Sequence, residues 1–511
     1  KMENTSRKKK MSPAKRRRKR IQKAFRIAGE ILVGIQILVT LVFIGCIWRL
    51  GMIPTKLVAG LAAILLVFAA LLFTMQVITR GKAIVSKLVS VLMSVVLVFG
   101  SVYLFKTHDA VEDLTDTSLG KQVHSILVVV RKDDPAEKVQ DTKDYIYGVQ
   151  QSPEENEIDK AMEKVNEDTG AEVMTAEYNT LNEQAAALLD ESVEAIVYDE
   201  GYGGILDEVY EGFSSQTKII GQYSIESEPS EEENLLAGAA AEVNVKDETF
   251  SIYISGIDVY GPISSKSRSD VNIIATVNPS TKQILLTNTP RDYYVPIPGV
   301  SGEGKDKLTH AGIYGVEKSM ATLGQLYGIE IPFYARVNFT SLITMVDLMG
   351  GVDVDSEVAF TTNGAGGAII SVQKGMNHFN GEQALAFARE RYSLEGGDNQ
   401  RGKNQMAVIQ AMFKKMITPE MLMKAPTMIS EISDSVETNM SMDQIQKLIQ
   451  SQLSSGGSWT IKSVAAEGTG DSQYCYSMPG TALYVMQPNM ESVENIKALM
   501  QSVQNGEKLP E

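Results

Sequence analysis

The chain has 511 residues, 44% of them hydrophobic, and a net charge of −15. That length suits two or three domains. Two cysteines, Cys46 and Cys475, exclude a disulfide framework, and four histidines in no ligand spacing argue against zinc. The charge is unevenly spread. Residues 1–26 hold thirteen Lys/Arg and one acid, so +12 sits there and −27 falls on the rest. A basic head on an acidic body points to two compartments.

The head, "RKKKMSPAKRRRKR", has no apolar face on which to fold. It reads as a cytoplasmic tail of residues 1–26 that obeys the positive-inside rule, and nucleic acid is not expected as a partner. Three apolar stretches follow within 27–105: Ile27–Trp48, Leu57–Thr79 and Leu88–Phe105. Each has about the 20 residues a bilayer core requires. No small-residue cleavage site marks a removable signal peptide. The loop after the second span carries Arg80, Lys82 and Lys87, so an odd number of spans places everything after them outside the cell.

Residues 118–223 alternate short apolar runs with polar helical stretches. "HSILVVV", "AEVMTA", "EAIVYD" and "TKIIGQY" read as buried strands, with helices at 154–168 and 180–190. The rhythm predicts a small α/β accessory domain with a parallel sheet and crossover helices. Residues 224–248, acidic and rich in small residues, read as a linker with room for a short helix. A second α/β domain occupies 249–511. "FSIYISGID" opens it as a strand, and "VNIIATVN" and "QILLTNT" form a hairpin joined by "PSTK". Residues 306–328 are helical in pattern, 333–339 form a strand, and 340–349 a helix. Asn380 and Gln383 make a capping box for the helix of "GEQALAFA", and 401–416 form another helix. "WTIKSVA" is a late strand, and a terminal helix runs near 491–504.

Polar residues of this domain gather at the ends of apolar elements. "SRSD" precedes one strand of the hairpin and "TPRD" follows the other, so Arg268, Asp270, Arg291 and Asp292 should share one rim. Lys307 lies in a following loop. "FARERYSLEGGDNQRGKNQ" adds Arg389, Arg391, Asp398, Arg401 and Gln405. Arg401 and Gln405 share one face of a helix, near an N-terminus that favours anions. Converging arginines repel unless an anion compensates, and their planar forks suit phosphate. Aspartates among them suit a hard cation such as Mg²⁺. Together they suggest a pyrophosphate or phosphodiester site. Single Arg–Asp surface pairs are the plain alternative, and the clustering at element ends argues against it.

"RSDVNIIATVNP", "LLTNTPRDYYVPIPG", "FTSLITMVDLMGGVDV" and "GEQALAFARERYSLEGGDNQRGKNQ", in that order, resemble the motifs of the LytR-CpsA-Psr family over roughly 250–416. The resemblance implies an α-β-α sandwich with an apolar pocket for a polyprenyl tail. It implies a membrane-anchored phosphotransferase that moves a glycopolymer from a polyprenyl-pyrophosphate carrier onto peptidoglycan, with Mg²⁺ or Mn²⁺, in a Gram-positive envelope. Carried over motif by motif, Arg268, Arg291, Arg389, Arg391, Arg401 and Gln405 would grip the pyrophosphate, with Lys307 beside them. Asp270 and Asp398 would be metal ligands. Arg291 and Asp292 would be catalytic, with Asp270, Asp292 or the metal left open as activator of the acceptor hydroxyl. Asn404 stands where relatives often carry a second basic residue. The competing expectation is an envelope ligand-binding or sensor protein whose phosphate site performs no chemistry.

Overall fold

The computed structural model describes residues 13–80, 82–116, 122–151, 156–227, 231–257 and 267–509. The chain separates into two compact units, residues 1–111 with 449–455, and residues 112–448 with 456–511. The start of the basic tail, residues 1–12, lies outside the described residues.

The first unit contains α1 (Pro13–Leu50), α2 (Thr55–Ile78) and α3 (Ile84–Asp116). All three are long and apolar enough to cross a membrane. Helix α1 begins well before the apolar stretch, so the second half of the basic tail is helical. Proline is well tolerated in a first turn, where its missing N–H is not needed. Arg26 Nε donates to Glu30 Oε1 at 2.8 Å one turn on, which pairs the single carboxylate of the first span. Ser90 Oγ donates to Gln36 Oε1 at 2.7 Å and joins α3 to α1. Interhelical hydrogen bonds of this kind satisfy polar groups that lipid cannot. Gly51, at φ 67°, ends α1 in the left-handed conformation glycine adopts without strain.

The accessory domain opens with β1 (Gln122–Arg131), β2 (Ile146–Gln150), α4 (Glu157–Thr169), β3 (Met174–Tyr178) and α5 (Leu181–Leu189). It closes with β4 (Ala195–Asp199), α6 (Gly203–Val209), α7 (Phe213–Gln216) and β5 (Thr217–Ser227). The sheet order is β3-β2-β4-β1-β5. Strand β2 runs parallel to β3 and β4, as their crossover helices α4 and α5 require. The expected all-parallel sheet is corrected, however. Strand β1 lies between β4 and β5 and is antiparallel to both. Ile126 to Val130 are buried without a break, as expected of a strand covered on both faces. Residues 224–248 hold a helix, as the linker reading allowed. Strand β5 continues to Ser227, and α8 (Glu231–Glu242) follows. Ala240 and Val245 are buried, and Gln444 Nε2 donates to the Ala240 carbonyl at 2.7 Å.

The larger domain begins with β6 (Phe250–Gly256), β7 (Val271–Asn278), β8 (Gln283–Asn288), β9 (Tyr294–Val295) and β10 (Asp306–Lys307). Next come α9 (Leu308–Ala311), α10 (Val316–Tyr327), β11 (Phe333–Val337), α11 (Phe339–Leu348) and β12 (Val352–Ser356). Then follow β13 (Phe360–Thr361), β14 (Ser371–Val372), β15 (Gly375–Phe379), α12 (Gly381–Arg389) and α13 (Gly397–Met416). The chain continues through α14 (Pro419–Ile432), β16 (Val436–Thr438), α15 (Met442–Ser455) and β17 (Thr460–Ala465). It ends with β18 (Gly468–Cys475), β19 (Met478–Pro488) and α16 (Met490–Gln504).

Its main sheet has the order β16-β11-β6-β7-β8-β17. On one face Tyr253, Ile274 and Leu285 pack with Leu323 of α10 and Met500 of α16. On the other, Ile254, Ile273 and Leu286 pack with Met406 and Ile409 of α13. The layers are therefore helix, sheet, helix. The helical pattern of 306–328 is interrupted: Lys307 stands in a short strand, and Gly315 at φ 127° separates α9 and its following turn from α10. Only glycine adopts that backbone readily. The β18–β19 hairpin was not anticipated, because its residues alternate only weakly.

Candidate active site

Strands β7 and β8 are antiparallel, with Ile273 opposite Asn288. Their outer ends therefore meet, as the sequence suggested. Arg291 Nη1 donates to Asp270 Oδ1 at 2.8 Å. Thr309 Oγ1 reaches the same oxygen at 3.4 Å, and Thr309 N donates to the Arg291 carbonyl at 2.8 Å. Burial works against ionisation of Asp270. Arg291, Arg268 and Arg401 outweigh it, and its carboxyl stays below the usual range.

From this pair a series of charges runs outward. Arg291 Nε lies 3.6 Å from Asp292 Oδ2, and Lys307 Nζ lies 3.5 Å from Asp292 Oδ1. Lys307 Nζ is also 2.6 Å from Glu208 Oε2, whose other oxygen is 3.3 Å from Arg268 Nη1. Glu208 belongs to α6 of the accessory domain. Nothing near it in sequence marks it, and it comes 60 positions before Arg268.

On the other side Asp270 faces a cavity of about 300 Å³. Arg389, Arg391, Arg401 and Gln405 line it with Asp270. Its remaining wall is largely apolar, with Ile254, Val337, Leu342, Leu385, Val408 and Ile409 among the contributors. These come from β6, β11, α11, α12 and α13, so the cavity opens between the sheet and its covering helices. Asn338 caps α11 and Asn380 caps α12, each through a capping box. The Asn380 box was legible in sequence. Gly381 meets α11 so closely that an added Cβ would lie 2.4 Å from the Ile343 carbonyl oxygen. That approach fixes the helix that ends in Arg389.

The Arg389 guanidinium lies 4.2 Å from the Phe339 ring centroid, and that of Arg391 4.9 Å from the Tyr392 ring. Both are cation–π distances. Glu390, between them, is buried and bonded by backbone N–H groups. It accepts from Asn363 N at 2.7 Å, Arg391 N at 3.0 Å and Ser393 N at 2.9 Å. Burial opposes its charge, but these N–H bonds prevail and hold its carboxyl low. Sequence reading passed over Glu390, although an acid enclosed by two arginines was the available signal. Asp398 lies in the first turn of α13, and its side chain falls outside the described residues.

Of the ten residues singled out, the cavity gathers Asp270, Arg389, Arg391, Arg401 and Gln405, while Arg268, Arg291, Asp292 and Lys307 form the adjoining charge series. A separate buried group was also missed. Asp306, His310 and Cys475 bring ligand-type atoms within 4.8 Å of one another. Cys475 comes far later in the chain, so spacing could not reveal this. His310 Nδ1 is 2.6 Å from Asp306 Oδ1, Ser477 N donates to Asp306 Oδ2 at 2.8 Å, and burial, with Asp306 nearby, pushes the Cys475 thiol up to about 12. His310 Nε2 is buried and finds no hydrogen-bond partner among the described residues, while the raised thiol holds Cys475 in its protonated form at neutral pH.

An apolar cavity that ends in arginines beside an ionised aspartate is the main candidate site. The LytR_cpsA_psr family model matches residues 212–500, more than half of the chain, and the chain belongs to that family. A polyisoprenyl-teichoic acid–peptidoglycan teichoic acid transferase, TagU, of Enterococcus faecalis is 33% identical over 235 residues, 45% of this chain and 74% of that protein. The protein of the same name from Bacillus mycoides is 37% identical over 202 residues, 39% of this chain and 63% of that protein, so less than two thirds of its length is matched. The crystal structure of B. subtilis TagV is 27% identical, with a TM-score of 0.43, over 52% of this chain and all of that one.

Proposed function

We propose that the chain is a membrane-anchored phosphotransferase that moves a glycopolymer from a polyprenyl-pyrophosphate carrier onto peptidoglycan. The observation that carries this reading is the continuity of apolar cavity, arginine mouth and Asp270–Arg291 pair. A polyprenyl tail would lie against Leu342, Leu385 and Val408, and the pyrophosphate would meet Arg389, Arg391, Arg401 and Gln405. The named relatives act on polyisoprenyl-linked teichoic acid and peptidoglycan, which supports the same substrate class here. The three apolar helices support membrane anchoring, and the basic tail supports a cytoplasmic N-terminus with residues 118–511 outside.

In the reaction an acceptor hydroxyl bonds to the phosphorus nearer the polymer. The bridging P–O bond breaks, and polyprenyl monophosphate leaves. Arg291 stabilises the charge that develops on the transferred group. Asp292, whose contacts are longer than those of Asp270, accepts the hydroxyl proton. Asp270 is an ionised oxygen donor at the cavity mouth and fits Mg²⁺ or Mn²⁺, with Asp398 as the proposed second ligand. Such an ion, when bound, would offset charge on the pyrophosphate oxygens. The test is to offer the detergent-solubilised full chain a synthetic polyprenyl-pyrophosphate sugar, a glycan acceptor and Mg²⁺. Polyprenyl monophosphate should appear. Binding without release across several donors and metals refutes the reading.

A further inference from the structure

Two of the cations assigned to the pyrophosphate, Arg268 and Lys307, already hold a carboxylate. Glu208 Oε2 is 2.6 Å from Lys307 Nζ, and Oε1 is 3.3 Å from Arg268 Nη1. The Lys307 side chain is only 3% exposed. Helix α6 is shaped for this contact. Gly204 lies one turn before Glu208, on the same face. A Cβ at Gly204 would stand 2.3 Å from the Arg268 guanidinium carbon. Any larger residue there would push Arg268 away. The accessory domain thus presents a bare patch of backbone and a carboxylate to one guanidinium.

We infer that Glu208 is an internal occupant of the Arg268–Lys307 subsite, which an anionic donor must displace. This rests on the function proposed above. A carboxylate and a phosphate offer cations the same kind of acceptor, and a pyrophosphate carries more charge. The donor therefore replaces Glu208 on both cations and releases α6 from the site. The accessory domain sets donor affinity in this way, since a ligand gains only its differential interaction with the two arrangements.

The experiment compares binding of geranylgeranyl pyrophosphate to the full chain and to two variants. Glu208→Gln keeps the shape and removes the charge. Gly204→Val leaves the carboxylate and drives Arg268 off α6. Both should bind the probe more tightly, Glu208→Gln by on the order of tenfold, and Glu208→Gln should lower KM with little change in kcat. A residue that only orients Lys307 predicts the opposite sign. Unchanged or weaker binding in Glu208→Gln, with binding still lost in Arg389→Ala, overturns this inference alone. Binding that also survives Arg389→Ala overturns it together with the proposed function.

Discussion

Glu390→Gln tests whether the acid between two arginines builds the cavity. Its Oε2 accepts from Asn363 N, and its Oε1 accepts from both Arg391 N and Ser393 N. Glutamine keeps the outline but turns one oxygen into an NH₂ group. The arrangement that retains two bonds beats the one that retains one, so the amide nitrogen should face Asn363. One charge-assisted bond is then lost, and two donors confront each other in a buried place. The loss is about 1.5–3 kcal/mol, roughly tenfold to a hundredfold in local opening. The β13–β14 loop keeps its internal bonds, Thr362 N to the Ile370 carbonyl and Thr362 Oγ1 to the Ala368 carbonyl. It loses its charged tie to the arginine segment and keeps the long Arg389 Nη1 contact to the Gly366 carbonyl at 3.5 Å. Since Asn363, Ala365 and Gly366 line the cavity, affinity for geranylgeranyl pyrophosphate should fall with it. Hydrogen exchange should show the Asn363 amide exchanging faster by that factor, and calorimetry should show weaker binding. Unchanged exchange at Asn363 in a folded variant refutes the reasoning.

Arg291→Ala should reduce kcat by roughly a hundredfold to a thousandfold while probe binding through the Arg389 side persists; full turnover in that variant dismisses Arg291 as catalytic. Leu342→Trp narrows the apolar wall. It should weaken geranylgeranyl pyrophosphate by roughly tenfold or more while inorganic pyrophosphate binds as before, because only the tail meets that wall; equal losses for both ligands remove the cavity from the lipid site. Asp270, Asp306 and Glu390 all have carboxyl groups held below their usual range. Their contribution is complete above the unfolded values near 4 and is lost as pH falls through the lower folded ones, because the unfolded chain then binds more protons. Thermal unfolding followed by circular dichroism should show the melting temperature falling below about pH 4, and Glu390→Gln should flatten part of that fall.

The apolar spans, the β7–β8 hairpin and the Asn380 capping box were legible because each is written in a contiguous stretch. Burial periodicity and cap chemistry are local. The meeting of Asp270 with Arg291 was legible one step further, since hairpin pairing fixes which ends coincide. The antiparallel β1 was not, because strand direction depends on which gap in the sheet a strand enters. Glu208 was beyond reach for the same reason: a short helix such as α6 does not say which surface will lie against it. The 224–248 segment was legible as a connection with a short helix, but the burial of Ala240 and Val245 was not, because it depends on a surface far away in sequence. Gly315 breaks the helix expected over 306–328, and the glycine itself was the signal available there.

The charges around the site also explain how so many arginines coexist. Arg268 and Lys307 share Glu208, Lys307 and Arg291 share Asp292, and Arg291 binds Asp270. Each cation in that series meets an acid, and each acid except Asp270 meets two cations. Glu390 is different, since its charge is committed to backbone N–H groups, while Arg389 and Arg391 line the cavity and lie against the rings of Phe339 and Tyr392, with Arg389 Nη1 also 3.5 Å from the Gly366 carbonyl. The site is therefore asymmetric. One side is closed by its own carboxylates, and the other is turned toward the apolar cavity. A lipid pyrophosphate entering tail-first would meet the cavity-side arginines before it competed for the carboxylate-held ones. Weakening the first group should then abolish binding, whereas loosening the second should strengthen it, a difference of sign that no general change in stability produces.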